Sequence, residues 1–394
     1  MSNWNVLHLS TGHAGGAGLA ARRLNLELNE NGIDSKFAAL NQHDFIPTIN
    51  ELTISRTFSK KIGSAVNARI ANQLSNKIFF SLFSVNNIDF RKTEILGDPN
   101  KTILHFHNWF NLVSLKKLPM LIEQGFNIVI TLHDERLLTG GCHYTFDCIK
   151  FQTDCGVCPE LKFPFSRIPK NNLFNFTQIE DSLFDKVKFI TPSIWLLRQA
   201  KVSSALRDKE VFFIPNILPN TFQTEVVASK KNTNSNYRIG VASMNNNSYV
   251  KGGDVLKNIE ILLRDSPNSI EILKLSDMSW HKNGMNDFWG QIDCLMVLSR
   301  ADNSPNVIHE AKRLGIPIIA TDVGGISELL DSKFDLILKS QDLNAQLILQ
   351  KILDFKKHDF SPKDQFAMKS KFDQYLASNL QQHVALYESF FIGN

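Results

Sequence analysis

Long hydrophobic runs are missing from this sequence. No window approaches the ~18 uninterrupted apolar residues of a spanning helix, and no N-terminal stretch joins a basic start to an apolar run and a small-residue cleavage site. The expectation is therefore a cytoplasmic protein that neither spans a membrane nor is exported. Cysteine is scarce, with five in 394 residues, which argues against a disulfide framework in a cytoplasmic chain. A strong charge of either sign is absent as well. The net +4 is too small to imply nucleic acid as a partner. Disorder is not the expectation from composition, since 43% of the residues are hydrophobic and 21% charged, which suits two or more domains with filled cores.

One local absence stands out. Between Ser55 and Ile88 there is no acid, while Arg56, Lys60, Lys61, Arg69 and Lys77 alternate with Phe58, Ile62, Val66, Ile70, Leu74, Ile78 and Phe79 at mostly helical spacing. Such a basic amphipathic face can rest on anionic lipid at the inner-membrane surface. It can equally be a core-facing helix with a solvated basic side.

What the chain does have is alternation. Val6–Ser10 reads as a short buried strand, followed by a loop from Thr11 to Gly18 and a helix from Leu19 to Asn31 that stops at Gly32. Strand candidates continue at Ser35–Leu40, Thr102–Phe106, Asn127–Leu132 and Lys188–Thr191, which predicts a mainly parallel α/β sheet. A second series opens after Val211–Pro215. There a polar run from Ser229 to Asn236 precedes Tyr237–Ala242, with later strands at Ser269–Leu273, Asp293–Leu298 and Ile316–Thr321. The domain boundary is expected near Asn216, and Lys363–Phe391 reads as helix without a strand signal.

The most informative stretch runs from Asp293 to Leu314. Ser304 reads as a helix N-cap, Pro305 as the first helical position and Gly315 as the exit. The amides of Asn306 and Val307 would then point at the carboxyl edge of the sheet and form an anion site. Asp302 lies in the loop and Glu310 in the second turn of the helix, so both carboxylates can reach one crevice. Carboxylates suit sugar and ribose hydroxyls because they accept several hydrogen bonds. Downstream, Thr321-Asp-Val-Gly-Gly-Ile-Ser-Glu328 supplies a second turn, where Gly324 and Gly325 let backbone approach a ligand. The bland alternative makes Asp302 and Glu310 solvated charges at an ordinary helix start.

The stretch from Asp293 to Glu328 resembles the donor site of glycosyltransferase family 4, whose signature is Glu, seven residues, Glu, then a glycine pair; here Asp302 replaces the first glutamate. The resemblance extends from about Asn5 to Gln382. It implies a retaining enzyme of the α/β GT-B architecture, two Rossmann-like domains facing across a cleft, and a nucleoside-diphosphate sugar as donor. It also implies Glu310 on the ribose hydroxyls, Asp302 beside the donor sugar, and Lys251 of Val250-Lys-Gly-Gly253 on the diphosphate. The arginine that relatives often carry before that lysine is missing from Arg238-Ile-Gly-Val-Ala-Ser-Met-Asn-Asn. Charge compensation is therefore expected from Lys251, Gly324, Gly325 and helix amides, with no catalytic metal.

In the N-terminal half, Gly15, Gly16 and Gly18 precede the first helix, and Gly16-x-Gly-x-x-Ala21 matches a relaxed dinucleotide fingerprint. Five residues separate Ser10 from Gly16, though, and the acid Asp44 comes late, so a nicotinamide oxidoreductase fits poorly and leaves the C-terminal turns unexplained. The resemblance gives Gly15 and Gly16 another role, closing over the donor. His133, in Thr131-Leu-His-Asp134, follows a strand and so lies at a sheet's carboxyl edge, where ligands of open α/β sheets bind. It resembles the family's cleft histidine near the donor sugar, with His105 and His107 as a second cleft group. His133 and Asp302 are expected to act as stabilisers, and no nucleophile is assigned.

Four cysteines crowd together as Cys142-x5-Cys148-x6-Cys155-x2-Cys158. The last pair forms a knuckle-like turn able to place two thiolates on one metal, and four soft ligands suggest a structural zinc. Free thiols or a regulatory disulfide are the alternatives, because the first pair is spaced wider than in common zinc ribbons. The insert from Thr139 to Leu161 resembles a subset of bacterial surface-polysaccharide transferases of the capsule, O-antigen or exopolysaccharide type.

The expected organisation is an acceptor domain over 1–215 with the Cys-rich insert at 139–161, a donor domain over 216–372, and a helix over 373–394 returning to the first domain. The expected activity moves a hexose from the nucleotide to a hydroxyl of a glycan or lipid-linked oligosaccharide. The competing reading is a non-catalytic sugar-nucleotide or glycan binder on the same fold, motivated by Asp302 and the missing arginine.

Overall fold

A computed structural model describes residues 3–40, 47–54, 80–81, 95–162, 164–177, 179–219, 222, 236–243, 248–264, 270–277, 284–358 and 360–392. The basic stretch from Ser55 to Ile88 lies outside these residues except for Phe80 and Ser81, as does nearly all of the polar run before Tyr237. The chain divides into two units, Met1–Ile217 with Ser378–Asn394, and Leu218–Ala377.

The first unit contains β1 (Asn5–Ser10), α1 (Gly15–Glu30), β2 (Ser35–Leu40), β3 (Glu51–Ile54), β4 (Thr102–Asn108), α2 (Leu118–Glu123), β5 (Asn127–Thr131), α3 (Ile168–Thr177), β6 (Val187–Thr191), α4 (Ile194–Val202) and β7 (Val211–Phe213). Its seven strands are parallel in the order β3-β2-β1-β4-β5-β6-β7. The order reverses between β1 and β4, the place where open α/β sheets bind ligands. β1, β4 and β5 are buried on both faces, which is why they read as apolar runs rather than alternating patterns. Leu7, Leu9, Leu104, Phe106, Ile128 and Ile130 fill one side. Val6, Ile103, Val129 and Ile190 fill the other, together with Leu24 and Leu28 of α1.

Helix α1 starts at Gly15, four residues before the expected Leu19. Glycine is a poor helix former, but here packing decides: a Cβ on Gly18 would lie 2.3 Å from the Gly12 carbonyl oxygen. The bare residue lets the first turn sit on the loop that precedes it.

The second unit contains β8 (Tyr237–Val241), α5 (Gly253–Arg264), β9 (Ile270–Lys274), α6 (Gly284–Gln291), β10 (Cys294–Val297), α7 (Asn306–Leu314), β11 (Ile318–Thr321), β12 (Leu336–Leu338), α8 (Ala345–Phe355) and α9 (Pro362–Leu376). Its sheet is parallel in the order β12-β11-β10-β8-β9, with apolar clusters on both faces. The reading of Lys363–Phe391 as one helix is corrected. Helix α9 ends at Leu376, and α10 (Asn379–Glu388) belongs to the first unit. There Tyr387 is fully buried, with its ring edge against Trp4. None of the described helices is long and apolar enough to cross a membrane.

Candidate functional site

In the second unit, the loops leaving β8, β10 and β11 meet at the carboxyl ends of three adjacent strands. The β8 loop is held by backbone geometry. Gly252 has φ +73°, and a Cβ there would lie 2.1 Å from the Leu298 carbonyl oxygen. The Arg300 amide donates to the Val250 carbonyl at 2.7 Å. The Arg300 guanidinium also donates to both carboxylate oxygens of Asp254, at 2.6 and 2.7 Å, and stacks 4.0 Å over Tyr249. With its loop fixed from both sides, Lys251 reaches Asp302, Nζ to Oδ2 at 2.5 Å.

Asp302 is tied to the third loop through its backbone. Its carbonyl accepts from the Gly325 amide at 3.2 Å, and Gly324, at φ +55°, has room for no Cβ because one would lie 2.0 Å from that same oxygen. Thr321 Oγ1 donates to the Ser299 carbonyl. The sequence named Lys251, Asp302, Gly324 and Gly325 separately, and the structure brings all four together.

The start of α7 differs in detail from expectation. Pro305, not Ser304, is the N-cap, and no side chain caps the helix. Ser304 turns its hydroxyl to His309 Nε2 at 2.9 Å instead. The positive end of the helix dipole lies at Asn306 and Val307, where no cap side chain accepts from the first turn. Gly315 does take the left-handed exit, at φ 72°. Glu310 is 1% exposed and Asp302 is ion-paired, so neither is the solvated charge of the bland alternative.

In the first unit, β1, β4 and β5 also end together. Thr11 Oγ1 donates to the Asn108 carbonyl at 2.8 Å, and Arg136 donates to Asn108 Oδ1 at 3.0 Å and to Asp134 at 2.9 Å. His133 follows β5, and behind it runs a chain of imidazoles. His133 Nε2 lies 3.2 Å from His107 Nδ1, and His107 Nε2 lies 3.0 Å from His8 Nδ1. His105 packs beside His107 with ring centroids 4.0 Å apart and is spent on Thr131 Oγ1 and Tyr387 Oη, each at 2.7 Å. Burial pushes His133 down to about 4 and His8 to about 3, with His105 and His107 well below the usual histidine range. The stack is neutral at neutral pH. His105 and His107 are thus buried supports of His133 and not a separate cleft group. Gly15 takes φ +76° at the start of α1, and a Cβ on Gly16 would meet nothing within 4 Å.

The insert begins directly after this edge. Glu135 accepts from the Thr145 amide at 2.7 Å and its hydroxyl at 2.8 Å; burial raises its carboxyl to about 7. Cys142, Cys148, Cys155 and Cys158 all line one small cavity and form no disulfide. Burial pushes the Cys142 thiol well up and Cys155 to about 11, so neither is a nucleophile at neutral pH.

Two features escaped the sequence reading. His8 looked like one more residue of an apolar strand, and only the parallel pairing of β1 with β4, His8 opposite His105, joins it to the other histidines. Arg300 stood in the loop beside Asp302, but its partners Tyr249 and Asp254 lie 51 and 46 positions away.

Comparison with known structures identifies the architecture. The sucrose-phosphate synthase of Thermosynechococcus elongatus superposes with a TM-score of 0.61 at 14% identity, covering 99% of this chain and 100% of that one. HepE of Anabaena, solved in complex with UDP-glucose, gives 0.55 at 14% identity over 98% and 99% of the two chains. The fold is GT-B. Residues 257–355 match the family described as Glycosyl transferases group 1, and this domain on a GT-B scaffold defines a glycosyltransferase of the group 1 type. Among curated proteins, the chain is similar to WcaC of Escherichia coli strain K12, a glycosyl transferase assigned to colanic acid biosynthesis. The two are 24% identical over 289 residues, which is 65% of this chain and 69% of the relative.

Proposed function

We propose that the protein is a retaining hexosyltransferase of glycosyltransferase family 4, taking its sugar from a nucleoside diphosphate. It passes that sugar to a hydroxyl of a glycan or lipid-linked oligosaccharide in bacterial surface-polysaccharide synthesis. The observation that carries this reading is the junction of three loops at Asp302, where Lys251, the Gly324–Gly325 turn and the uncapped start of α7 surround one point. Lys251 and the amides of Asn306, Val307, Gly324 and Gly325 hold the diphosphate and stabilise the charge that grows on it as the sugar leaves. Positive charge from these groups leaves no task for a catalytic metal. Glu310 takes the ribose hydroxyls. Asp302 serves the donor sugar and orients Lys251. WcaC's assignment to colanic acid and HepE's complex with UDP-glucose support the substrate classes. A cytoplasmic enzyme resting on the inner membrane suits a lipid-linked acceptor.

The role of His133 follows from its imidazole chain. Among the described residues His8 Nε2 is buried with no hydrogen-bond partner, and an orphaned buried N–H costs more than an idle lone pair. His8 therefore carries its proton on Nδ1 and donates to His107 Nε2; His107 Nδ1 in turn donates to His133 Nε2. His133 then carries its proton on Nδ1 as a neutral imidazole whose Nε2 is already engaged by His107.

The test is a panel of nucleotide sugars offered to the protein and to its Glu310→Ala variant, reading binding and slow donor hydrolysis. One donor should bind and hydrolyse, and its affinity should fall about 10–100-fold in the variant, the range of a lost charge-assisted hydrogen bond. Binding without turnover, even with candidate acceptors, would favour the non-catalytic binder. No binding to any donor would remove the reading.

A further inference from the structure

We propose that Cys142, Cys148, Cys155 and Cys158 together hold one structural zinc ion that knots the insert onto the first unit. Four observations carry this. The first is convergence. Cys142 and Cys158 are sixteen positions apart, yet all four cysteines line the same cavity of about 30 Å³, beside Phe80, Thr139, Gly140 and Phe151. That volume exceeds the ~10–15 Å³ needed for one water.

The second is backbone conformation. Among the described residues only four other than glycine have positive φ, and three of them lie in this insert: Phe146 at 48°, Cys155 at 52° and Val157 at 51°. Left-handed backbone at such residues persists where something else over-determines the turn. Metal ligation supplies that constraint.

The third is the poverty of the insert's own core. Within the insert Leu161 is buried against Phe80, with Cys142, Cys158 and Ile168 packed beside them, and Phe151 and Cys155 join the main cluster of the first unit, while Ile149 is 68% and Val157 64% exposed. Helical structure between Cys142 and Cys158 amounts to one short turn, Lys150–Gln152. Segments this poor in apolar burial are held by disulfides or metals, and no disulfide is formed.

The fourth is the hydrogen bonding of the sulfurs. The amide of Gly140 donates to Cys155, and the amides of Glu160 and Leu161 donate to Cys158. Backbone donors of this kind orient and stabilise thiolate ligands.

Thiolate ligands and a closed set of four select zinc over hard cations such as magnesium or calcium. Among the described residues no three of the sulfurs lie within 4.8 Å of one another, so the ion would draw them inward to zinc–sulfur bonds of about 2.3 Å. Each thiol gives up its proton to solvent as it binds.

The experiment is metal analysis of the full chain, purified without chelator, followed by replacement of the bound metal with cobalt. One zinc per chain is expected, with the sulfur-to-cobalt charge-transfer bands and intense visible bands of tetrahedral thiolate coordination. The double variant Cys155→Ser/Cys158→Ser should lose the zinc and become protease-sensitive between residues 139 and 161. Absence of stoichiometric zinc overturns the proposal, as does free reactivity of four thiols in the native protein, or recovery of a cysteine pair as a disulfide. A cobalt spectrum without sulfur charge transfer also overturns it, since it would place the metal on nitrogen ligands such as His8, His105 and His107.

Discussion

At the scale of single residues, one methyl group separates the glycines by task. Adding it to Gly18 or Gly324 forces backbone apart, because the new carbon would lie 2.3 Å from the Gly12 carbonyl oxygen or 2.0 Å from that of Asp302. Gly18→Ala should destabilise the first unit, and Gly324→Ala should both lower the melting temperature and weaken donor binding by displacing Asp302. Gly16→Ala meets open space and sits in a helical first turn, so it should leave stability unchanged or raise it by up to ~1 kcal/mol. If Gly16 lies against the donor, that variant will still lose turnover. Thermal melts beside donor-hydrolysis rates separate the cases, and unchanged turnover in Gly16→Ala would remove Gly16 from the site. Much at this scale was legible in sequence, because Lys251, Asp302, Glu310 and the glycine pair each carry a local signal. Contacts between them were not, since Lys251 and Asp302 meet across 51 positions and only the sheet order makes them neighbours.

At the scale of elements, local signals were right about kind, and about edges in places such as Ser35–Leu40 but not throughout. Ser304 was the obvious cap by composition, yet His309, one turn inside α7, takes its hydroxyl; a tertiary partner outcompeted the helix's own amides. Strands β3 and β12 were missed because they are four and three residues long at sheet margins, too short for a period to show. The element that joins sheet to insert is the short turn Glu135–Leu137, and its carboxyl gives a pH signature. Glu135 is raised to about 7 from 4.5, so the folded state holds this proton more tightly than the unfolded chain does. Its stabilising share is complete below about pH 4.5 and is lost as pH rises to about 7, a change of roughly 3 kcal/mol. Denaturant unfolding of Glu135→Gln between those pH values should show that much less decline than the parent. Parallel curves would assign the shift elsewhere.

At the scale of the whole molecule the alternation of strand and helix was readable because parallel strands covered on both faces are apolar throughout. Strand order and the imidazole stack were hidden, being properties of pairing. That stack governs behaviour in acid. His8, His105, His107, His133, His143 and His383 all have depressed values. Their contribution is present above the unfolded value near 6.5 and is lost as pH falls below it, toward about 3 to 4 for His8, His133, His143 and His383, at up to roughly 1.4 kcal/mol per pH unit for each. Six histidines outweigh the opposite trend of one glutamate, so the first unit should open first as the solution is acidified toward about pH 5. Limited proteolysis read by mass would show early cuts within Met1–Ile217, and first cuts within Leu218–Ala377 would contradict the assignment.

The division of the first unit into two stretches of sequence bears on how the protein is made. Tyr387, whose hydroxyl meets His105 and whose ring packs against Trp4, is translated only after the entire second unit. At about 5–20 residues per second, the sheet of the first unit stands for roughly 10 s or more with this face uncovered. During synthesis the nascent chain therefore presents an apolar surface around Trp4, Val129 and Ile190, a natural target for chaperones on the ribosome. A pause in translation within the second unit would prolong that exposure without altering a single residue.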